Sequence, residues 1–392
     1  MDYLTKDQTI ALDKLMQLTP GDSFILKGYA GTGKTFLLQK YVEQNYSCNN
    51  VIITATTNKA VVVANGYMTI HSYLGLKLKK HKDKQILVQG GNHRVRHNDI
   101  IIIDECSMLN SEVLKFILKA QQDFDLTVIY IGDPKQIPPV GEHMAPVFNL
   151  PIPSYTLKEI VRQKDNKLLN FVTGVRKGKL PLHLKDNNSI FVGGPKQAKE
   201  FFNANFNFKT MEFPQILSFR NNIVDSYNLW ARKQNIKSKN LFTENERLYV
   251  RSTNENSNLK LETFVKIKKI QTEIEYTAPI ILPTITCVKM IIATPESENT
   301  LLVPKTSQDI NIYNTNLTLL AHAARKREIK WSDFWDYLEG ITVLKHRYAM
   351  TIHRSQGSTF SDVIVNYPDL QNNMNLFYTA CTRAAKRLFI II

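Results

Sequence analysis

The stretch "SFILKGYAGTGKTFLLQKY" sets an apolar strand, a glycine-rich loop and an amphipathic helix in unbroken succession. Gly28, Gly33, Lys34 and Thr35 satisfy the spacing GxxxxGK[ST] in the strand-to-helix setting which that pattern requires. The glycines let backbone N–H groups from Gly28 to Thr35, with Ala30, Gly31 and Thr32 between, turn inward around a phosphate. The helix beginning near Lys34 aims its positive dipole end at the same place, and the lysine adds a full charge. Thr35 places its hydroxyl where Mg2+ would sit. The segment is therefore read as the nucleotide-phosphate loop of an α/β domain.

From residue 22 to about 150 the pattern alternates in the same sense: "NVIITAT", a helix, "DIIIIDE", the helix "NSEVLKFILKAQQ", then "LTVIYIGD". Short continuous apolar strands between amphipathic helices predict a parallel sheet covered on both faces. Residues 77–98, "KLKKHKDKQILVQGGNHRVRHN", interrupt it with seven Lys or Arg against the single Asp83. Two segments with β character around Gly90-Gly91 predict a basic β-hairpin inserted in the sheet domain.

A second α/β region is expected from residue 156, where "FPQILSFRNNIVDSYNLWARKQ" reads as strand then helix. Between about 241 and 320 the chain becomes β-branched and Pro-punctuated, which predicts a small β-barrel-like insert. "KREIKWSDFWDYLEG" predicts a helix with Trp331, Phe334, Trp335 and Leu338 on one face, read as core. Strand and helix return in "YAMTIHRSQGSTFSDVIVNY" and "LFYTACTRAAKRLFIII". No internal sequence repeat stands out.

Lys plus Arg outnumber Asp plus Glu by 50 to 35, a net charge of +15 that suits a polyanionic partner. Cys48, Cys106, Cys287 and Cys381 are far apart and form no CxxC pair, so neither a disulfide framework nor a zinc site is expected, and a reducing cytoplasm fits. No basic-then-apolar leader opens the chain, and nowhere do about 18 apolar residues run together, so secretion and membrane insertion are disfavoured.

Asp104 and Glu105 close the strand "IIIIDE" at the edge where open α/β sheets bind ligands. One carboxylate, Asp104, can hold Mg2+ while Glu105 polarises the attacking water, which completes a hydrolytic nucleotide site. In "YIGDPKQIPPV", Gln136 can report the γ-phosphate while Asp133 braces the loop. Phosphoryl transfer also needs positive charge opposite the phosphate loop, for which Arg162 in "EIVRQ" and Arg383 in "TACTRAAKR" are candidates.

The ordered set "GYAGTGKT", "TATTNKA", "TIHSYLG", "DECSM", "GDPKQIPPV", "VRQ", "ILSFRNNIVDSYN", "MTIHRSQGSTFSDVIV" and "LFYTACTRA" resembles the motif series of superfamily 1 helicases, of the branch containing RecD and the phage Dda helicase. The match runs from Gln8 to Arg387, and "KWSDFWD" is especially similar to the Dda type. The resemblance implies that Gln8 reads adenine, that Lys34, Thr35, Asp104, Glu105 and Gln136 form an ATP site with Mg2+, and that Arg162 and Arg383 are arginine fingers. It further implies that Thr57, Asn58, His71, Thr351 and His353 lie along single-stranded DNA, with Gln356 and Gly357 coupling that track to the nucleotide. The expected architecture is α/β, with two RecA-like parallel-sheet domains (1–76 with 99–155, and 156–240 with 341–392). The hairpin at 77–98 stands where the family keeps its strand-separating pin, and 241–340 holds an SH3-like β module with a connecting helix.

The function expected is an ATP-dependent DNA helicase acting on single-stranded and forked or tailed duplex DNA in replication, recombination or repair. It would be cytoplasmic, functional as a monomer, and would work beside single-strand-binding or replication proteins. Two rivals stand: a phosphotransferase of the nucleotide-kinase type, and a non-enzymatic nucleic-acid clamp. The branch moving 3′ to 5′ usually carries a base-stacking aromatic just after the motif that here reads "GDPKQIPPV". This chain has Ile137, Pro138, Pro139 and Val140, with no aromatic until Phe148, so 5′ to 3′ movement is expected.

Overall fold

The computed structural model describes the chain apart from residues 1–3, 46–50, 57–67, 82–83, 162–165, 187, 208, 237, 239, 253–258, 260–262 and 295–296. It divides into two compact units, Met1–Phe201 with Pro214–Val224 and Met350–Ile392, and Phe202–Phe213 with Asp225–Ala349.

The first unit holds two sheets. Strands β1 (Ser23–Gly28), β2 (Val51–Ala55), β3 (Met68–Thr69), β6 (Ile100–Asp104), β7 (Thr127–Gly132) and β8 (Ser154–Leu157) order as β3-β2-β6-β7-β1-β8, and the pairings are parallel. The run Ile100–Ile103 explains why no polar alternation is visible in the sequence. Ile100 and Ile102 enter the core made with Leu12, Leu37 and Tyr41, whereas Ile101 and Ile103 enter the core made with Val113 and Ile117. Both faces of this sheet are thus apolar, as helices on both sides demand. Because the strands are parallel, Gly28, Asp104 and Gly132 all finish at one edge. β8 pairs with β1 through Leu157, so this sheet runs two residues beyond the expected limit at 155.

The second sheet orders β16 (Ala349–Thr351), β10 (Gln215–Ser218), β17 (Phe360–Asn366), β18 (Ala384–Ile391) and β9 (Ile190–Gly193), with β10, β17, β18 and β9 parallel. The helices Asn166–Arg176 and Met374–Cys381 pack their Phe171 and Phe377 edge to face, with ring centres 6.3 Å apart, over Val363, Leu388 and Ile390.

The hairpin consists of β4 (Leu76–His81) and β5 (Lys84–Gln89), paired antiparallel from Leu76↔Gln89 to His81↔Lys84. Gly90-Gly91 therefore follows β5 instead of forming the turn of the hairpin. The basic residues Lys77, Lys79, Lys80 and Lys84 lie on the strands themselves. Gly90 N donates to Gly75 O at 2.9 Å, which closes the base of the hairpin. Val95 is buried in the sheet core and Leu87 packs against it, so the hairpin is anchored at its foot.

The second unit is built on an antiparallel sheet ordered β14 (Glu298–Pro304), β13 (Ile285–Ala293), β12 (Phe264–Tyr276), β11 (Arg247–Ser252) and β15 (Val343–His346). Val265 and Ile267 point into its core while Phe264 and Lys266 face out, the alternation a half-buried strand requires. Thr342 N donates to Leu302 O at 2.9 Å, so the two edge strands meet at one end and the sheet curls toward closure.

Two expectations for this region need correction. The span 241–320 is not β throughout: Ser307–Arg325 is a 19-residue helix opened by a capping box in which Thr306 and Asp309 satisfy each other's backbone N–H. Nor do Trp331 and Trp335 face the core. On the helix Trp331–Glu339 they are 45% and 49% exposed, and the buried aromatic is Tyr337, whose hydroxyl accepts from Asn316 Nδ2 at 3.0 Å. The turn that packs against Tyr313 and Tyr276 is the one carrying Tyr337.

Candidate nucleotide site and nucleic-acid edge

The phosphate loop is held in shape by its own residues. Lys34 Nζ donates to Gly28 O (2.9 Å) and Tyr29 O (3.0 Å), drawing the lysine across the mouth of the loop. Thr32 Oγ1 donates to Tyr29 O at 2.9 Å, and Val161 N to Gly31 O at 2.8 Å. Gly33 has φ +75°, which strains any other residue, and a Cβ there would stand 2.5 Å from Gln8 Nε2 and displace that side chain from its place behind the loop. Gln8 is buried behind the loop. Its Nε2 donates to Thr32 O at 3.0 Å, and its Oε1 accepts from Thr5 N at 2.9 Å.

Asp104 and Glu105 follow β6 at the same edge. Glu105 sits at φ 52°, ψ 40°, the left-handed region that costs a non-glycine residue roughly 1 kcal/mol, and strain of this kind collects where a side chain must be aimed. Burial, and then the Glu105 charge, push the Asp104 carboxyl up to about 7, against the Glu105 N–H and the Lys34 charge, which pull it down. Glu105 N donates to Asp104 Oδ1 at 2.8 Å. A buried acid beside a second acid and a Thr35 hydroxyl is a donor set that a hard divalent cation would relieve, so these residues fit Mg2+.

One pocket is lined by Ala30, Gly31, Gly33, Lys34, Thr35, Asp104, Glu105 and Gln136 from the first sheet's side, by Val161, and by Gly357 and Arg383 from the second sheet's side. Gln136 is buried, and its Oε1 has no hydrogen-bond partner among the described residues. Arg383 is 2% exposed and gathered onto its own turn, with Nε to Thr379 O (3.1 Å), Nη2 to Thr382 Oγ1 (2.8 Å) and Nη1 to Ser358 O (3.3 Å). Gln356 is buried beside Gly357 but does not line the pocket, and neither does Gln8. Arg162 lies outside the described residues. Val161, its neighbour in "VRQ", is a lining residue that the sequence reading did not name.

The edges of the two sheets repeat a device. β3 ends in Thr69, whose side chain caps Ile70–Tyr73 by accepting from Ser72 N (3.2 Å). β16 ends in Thr351, which caps Ile352–Ser355 by accepting from Arg354 N (3.4 Å). Ile70 and Ile352 are fully buried anchors, so His71 and His353 are fixed beside them, each half-buried and each with its imidazole pKa lowered by burial. The three-residue run Thr-Ile-His thus occurs at both 69–71 and 351–353. Thr57 and Asn58 lie outside the described residues.

A family model for an AAA domain matches residues 3–194, and one for a UvrD-like helicase C-terminal domain matches residues 346–391. The ATP-dependent DNA helicase Dda of Enterobacteria phage T4 is 24% identical over all of this chain and 99% of its own length. The Pif1 helicase of a Psychrobacter species is 34% identical over 34% of this chain and 22% of its own. Among solved structures, a Bacteroides Pif1 in complex with ADP-AlF3 and ssDNA superposes with a TM-score of 0.61 at 14% identity, covering all of this chain and 92% of that one. An AAA-type first half, a helicase-type C-terminus and a Pif1-like fold in one continuous chain make this protein similar throughout to the Pif1/Dda-like superfamily 1 helicases.

Proposed function

We propose that the chain is an ATP-dependent DNA helicase that steps 5′ to 3′ along single-stranded DNA and separates forked or tailed duplexes. The observation that carries this reading is the pocket, where Lys34, Glu105 and Gln136 of one lobe meet Gly357 and Arg383 of the other. Hydrolysis at such a seam changes the contacts between lobes, which a site within one lobe would not do.

Lys34 binds the β and γ phosphates while backbone N–H groups of the loop cradle them. Thr35 and Asp104 would hold Mg2+, which when bound neutralises charge on the β and γ oxygens. Glu105 takes a proton from the attacking water as the bond between Pγ and the bridging oxygen breaks and ADP leaves. Gln136 orients that water, and Arg383, released from its own turn, meets the charge spreading over the equatorial oxygens, with Arg162 as the second cation. Gln8 reads the adenine, and Gln356 and Gly357 link the pocket to the DNA track formed by Thr57, Asn58 and His71 on one lobe and Thr351 and His353 on the other.

The direction of travel draws support from the segment after Gln136. Val140 is 96% exposed but aliphatic, and Phe148 packs against the first sheet's core, so neither offers a base-stacking platform there. Both lobes belong to one chain, which suits a monomeric motor working with single-strand-binding or replication proteins in the cytoplasm. Among the described residues no helix is long and apolar enough to cross a membrane.

Steady-state ATP turnover with and without single-stranded DNA tests the reading, and strong stimulation by DNA is expected. Turnover indifferent to DNA would favour a phosphotransferase, and DNA binding without turnover a clamp.

A further inference from the structure

Asp133, the residue after β7, is fully buried at 0% exposure, and a buried carboxylate needs partners. It has three. Arg176 Nη1, from the helix Asn166–Arg176, donates to Oδ1 at 2.7 Å; Lys135 N donates to the same oxygen at 3.0 Å; and Tyr378 Oη, from the helix Met374–Cys381, donates to Oδ2 at 2.8 Å. The Tyr378 oxygen in turn accepts from Ala30 N at 3.2 Å, inside the phosphate loop. The Arg176 guanidinium lies 4.0 Å from the ring centre of Tyr29, the loop residue before Ala30, and 5.5 Å from that of Tyr378. Gln136 N donates to Asp133 O at 3.0 Å, so the carboxylate so gripped begins the turn that carries Gln136 into the pocket.

We infer that Tyr378 and Arg176 are positioning residues of the hydrolytic site, acting through Ala30 on the phosphate loop and through Asp133 on the Gln136 turn. The inference rests on the ATP-hydrolysing reading above. One hydroxyl joins three parts that must be in register at the moment of transfer: the phosphate loop, the Gln136 turn, and the helix that ends just before Arg383. Its geometry requires the phenol proton, since the oxygen donates to Asp133 while accepting from Ala30. Burial and the Asp133 charge push the Tyr378 pKa far above its ordinary value and keep that proton in place. Arg176 pairs with the carboxylate through Nη1 and lies over the ring of Tyr29, a combination for which a planar guanidinium is suited and an ammonium is not.

A group that only holds the fold would lower stability and nucleotide affinity together. A positioning group lowers kcat and spares binding of product. Tyr378→Phe keeps the ring in its core and removes the hydroxyl. It is expected to lower kcat for DNA-stimulated ATP turnover about tenfold, the scale of one hydrogen bond to a charged group lost in the transition state, with ADP and single-stranded DNA dissociation constants within about twofold of wild type. Arg176→Lys keeps the charge and loses the stack, with an expected fall of about threefold, and the double variant should fall less than the product of the two because both act on Asp133.

The experiment is ATP turnover in saturating single-stranded DNA, with ADP affinity and thermal midpoint measured on the same three variants. Wild-type turnover left intact by Tyr378→Phe overturns the inference alone. A fall in kcat matched by an equal loss of ADP affinity and a lowered midpoint overturns it in favour of a purely structural role. Absence of ATP turnover in wild type overturns the underlying reading and this inference with it.

Discussion

β3 and β16 are both edge strands of their sheets, and both run into Thr-Ile-His with a threonine cap, a buried isoleucine and a half-buried histidine. Away from that edge the two sheets part. The first ends strands in Gly28 and in Asp104, which Glu105 follows, whereas the second ends β17 in Asn366 and, among the described residues, sends Gly357 and Arg383 to the pocket. On the proposed reading, the difference teaches that a device meant for an extended polymer can be repeated along its length, while a phosphate is held only once. Substitutions should therefore act symmetrically at the edges and asymmetrically at the pocket.

The largest expected effect is at the pocket. Glu105→Gln should retain ATP and lose water activation, and Lys34→Ala should lose the charge on the phosphates. Each should lower DNA-stimulated turnover by about 10³-fold or more, while single-stranded DNA affinity measured by fluorescence anisotropy stays near wild type. A Glu105→Gln protein that turns over ATP normally would show that another group is the base.

The hairpin comes next. Because Val95 is buried and Leu87 packs on the sheet, only the outer part can be removed without harm to the first sheet. Replacing residues 79–86 by a short Gly/Ser turn should leave DNA-stimulated ATPase within about twofold and cut duplex separation by about tenfold or more, since charge and wedge go while both cores stay. Unwinding as fast as wild type would reduce the hairpin to a solvated ribbon.

The edges test the symmetry itself. His71→Ala and His353→Ala should each weaken single-stranded DNA binding by a similar factor, about three- to tenfold, with little change in the KM for ATP. Burial lowers both imidazole pKa values from the ordinary 6.5, so the neutral ring dominates at pH 7 and binding should gain little from imidazole charge until the pH falls below that value. A loss at one histidine alone would break the comparison.

The smallest effect is expected in the second unit. Trp331→Ala with Trp335→Ala should change stability by no more than about 0.5 kcal/mol each, as exposed positions do, whereas Tyr337→Ala should cost about 3 kcal/mol or more in chemical denaturation.

Those two aromatic sets mark where the sequence was legible. At the first sheet, phosphate chemistry dictates residue types at fixed spacing, so Lys34, Thr35, Asp104, Glu105 and Gln136 could be named before any geometry was known, the helicase resemblance added weight to Arg383 from the second sheet's side, and all six line one pocket. In the second unit only periodicity speaks. The Trp331 stripe has helical spacing, but spacing cannot tell which face a helix buries, and the contact that decides it is the hydrogen bond from Asn316 to Tyr337. The helix Ser307–Arg325 was hidden by its Asn and Thr content, although the box of Thr306 and Asp309 announced its start. Gly90-Gly91 drew the hairpin turn to the wrong place because glycine pairs signal turns in general. The true register follows from Leu76 pairing with Gln89. The Tyr378–Asp133–Arg176 cluster was not readable because its members stand 245 residues apart at the widest and meet only in the fold.

The central claim is directional movement driven by the pocket, and single-turnover unwinding of tailed duplexes tests it most directly. With ATP and Mg2+, a duplex bearing a 5′ single-stranded tail should be separated, and one with a 3′ tail or blunt ends should stay largely intact. Faster separation from the 3′ tail would contradict the assigned direction, and no separation from either tail, with DNA-stimulated ATPase intact, would contradict the helicase reading itself.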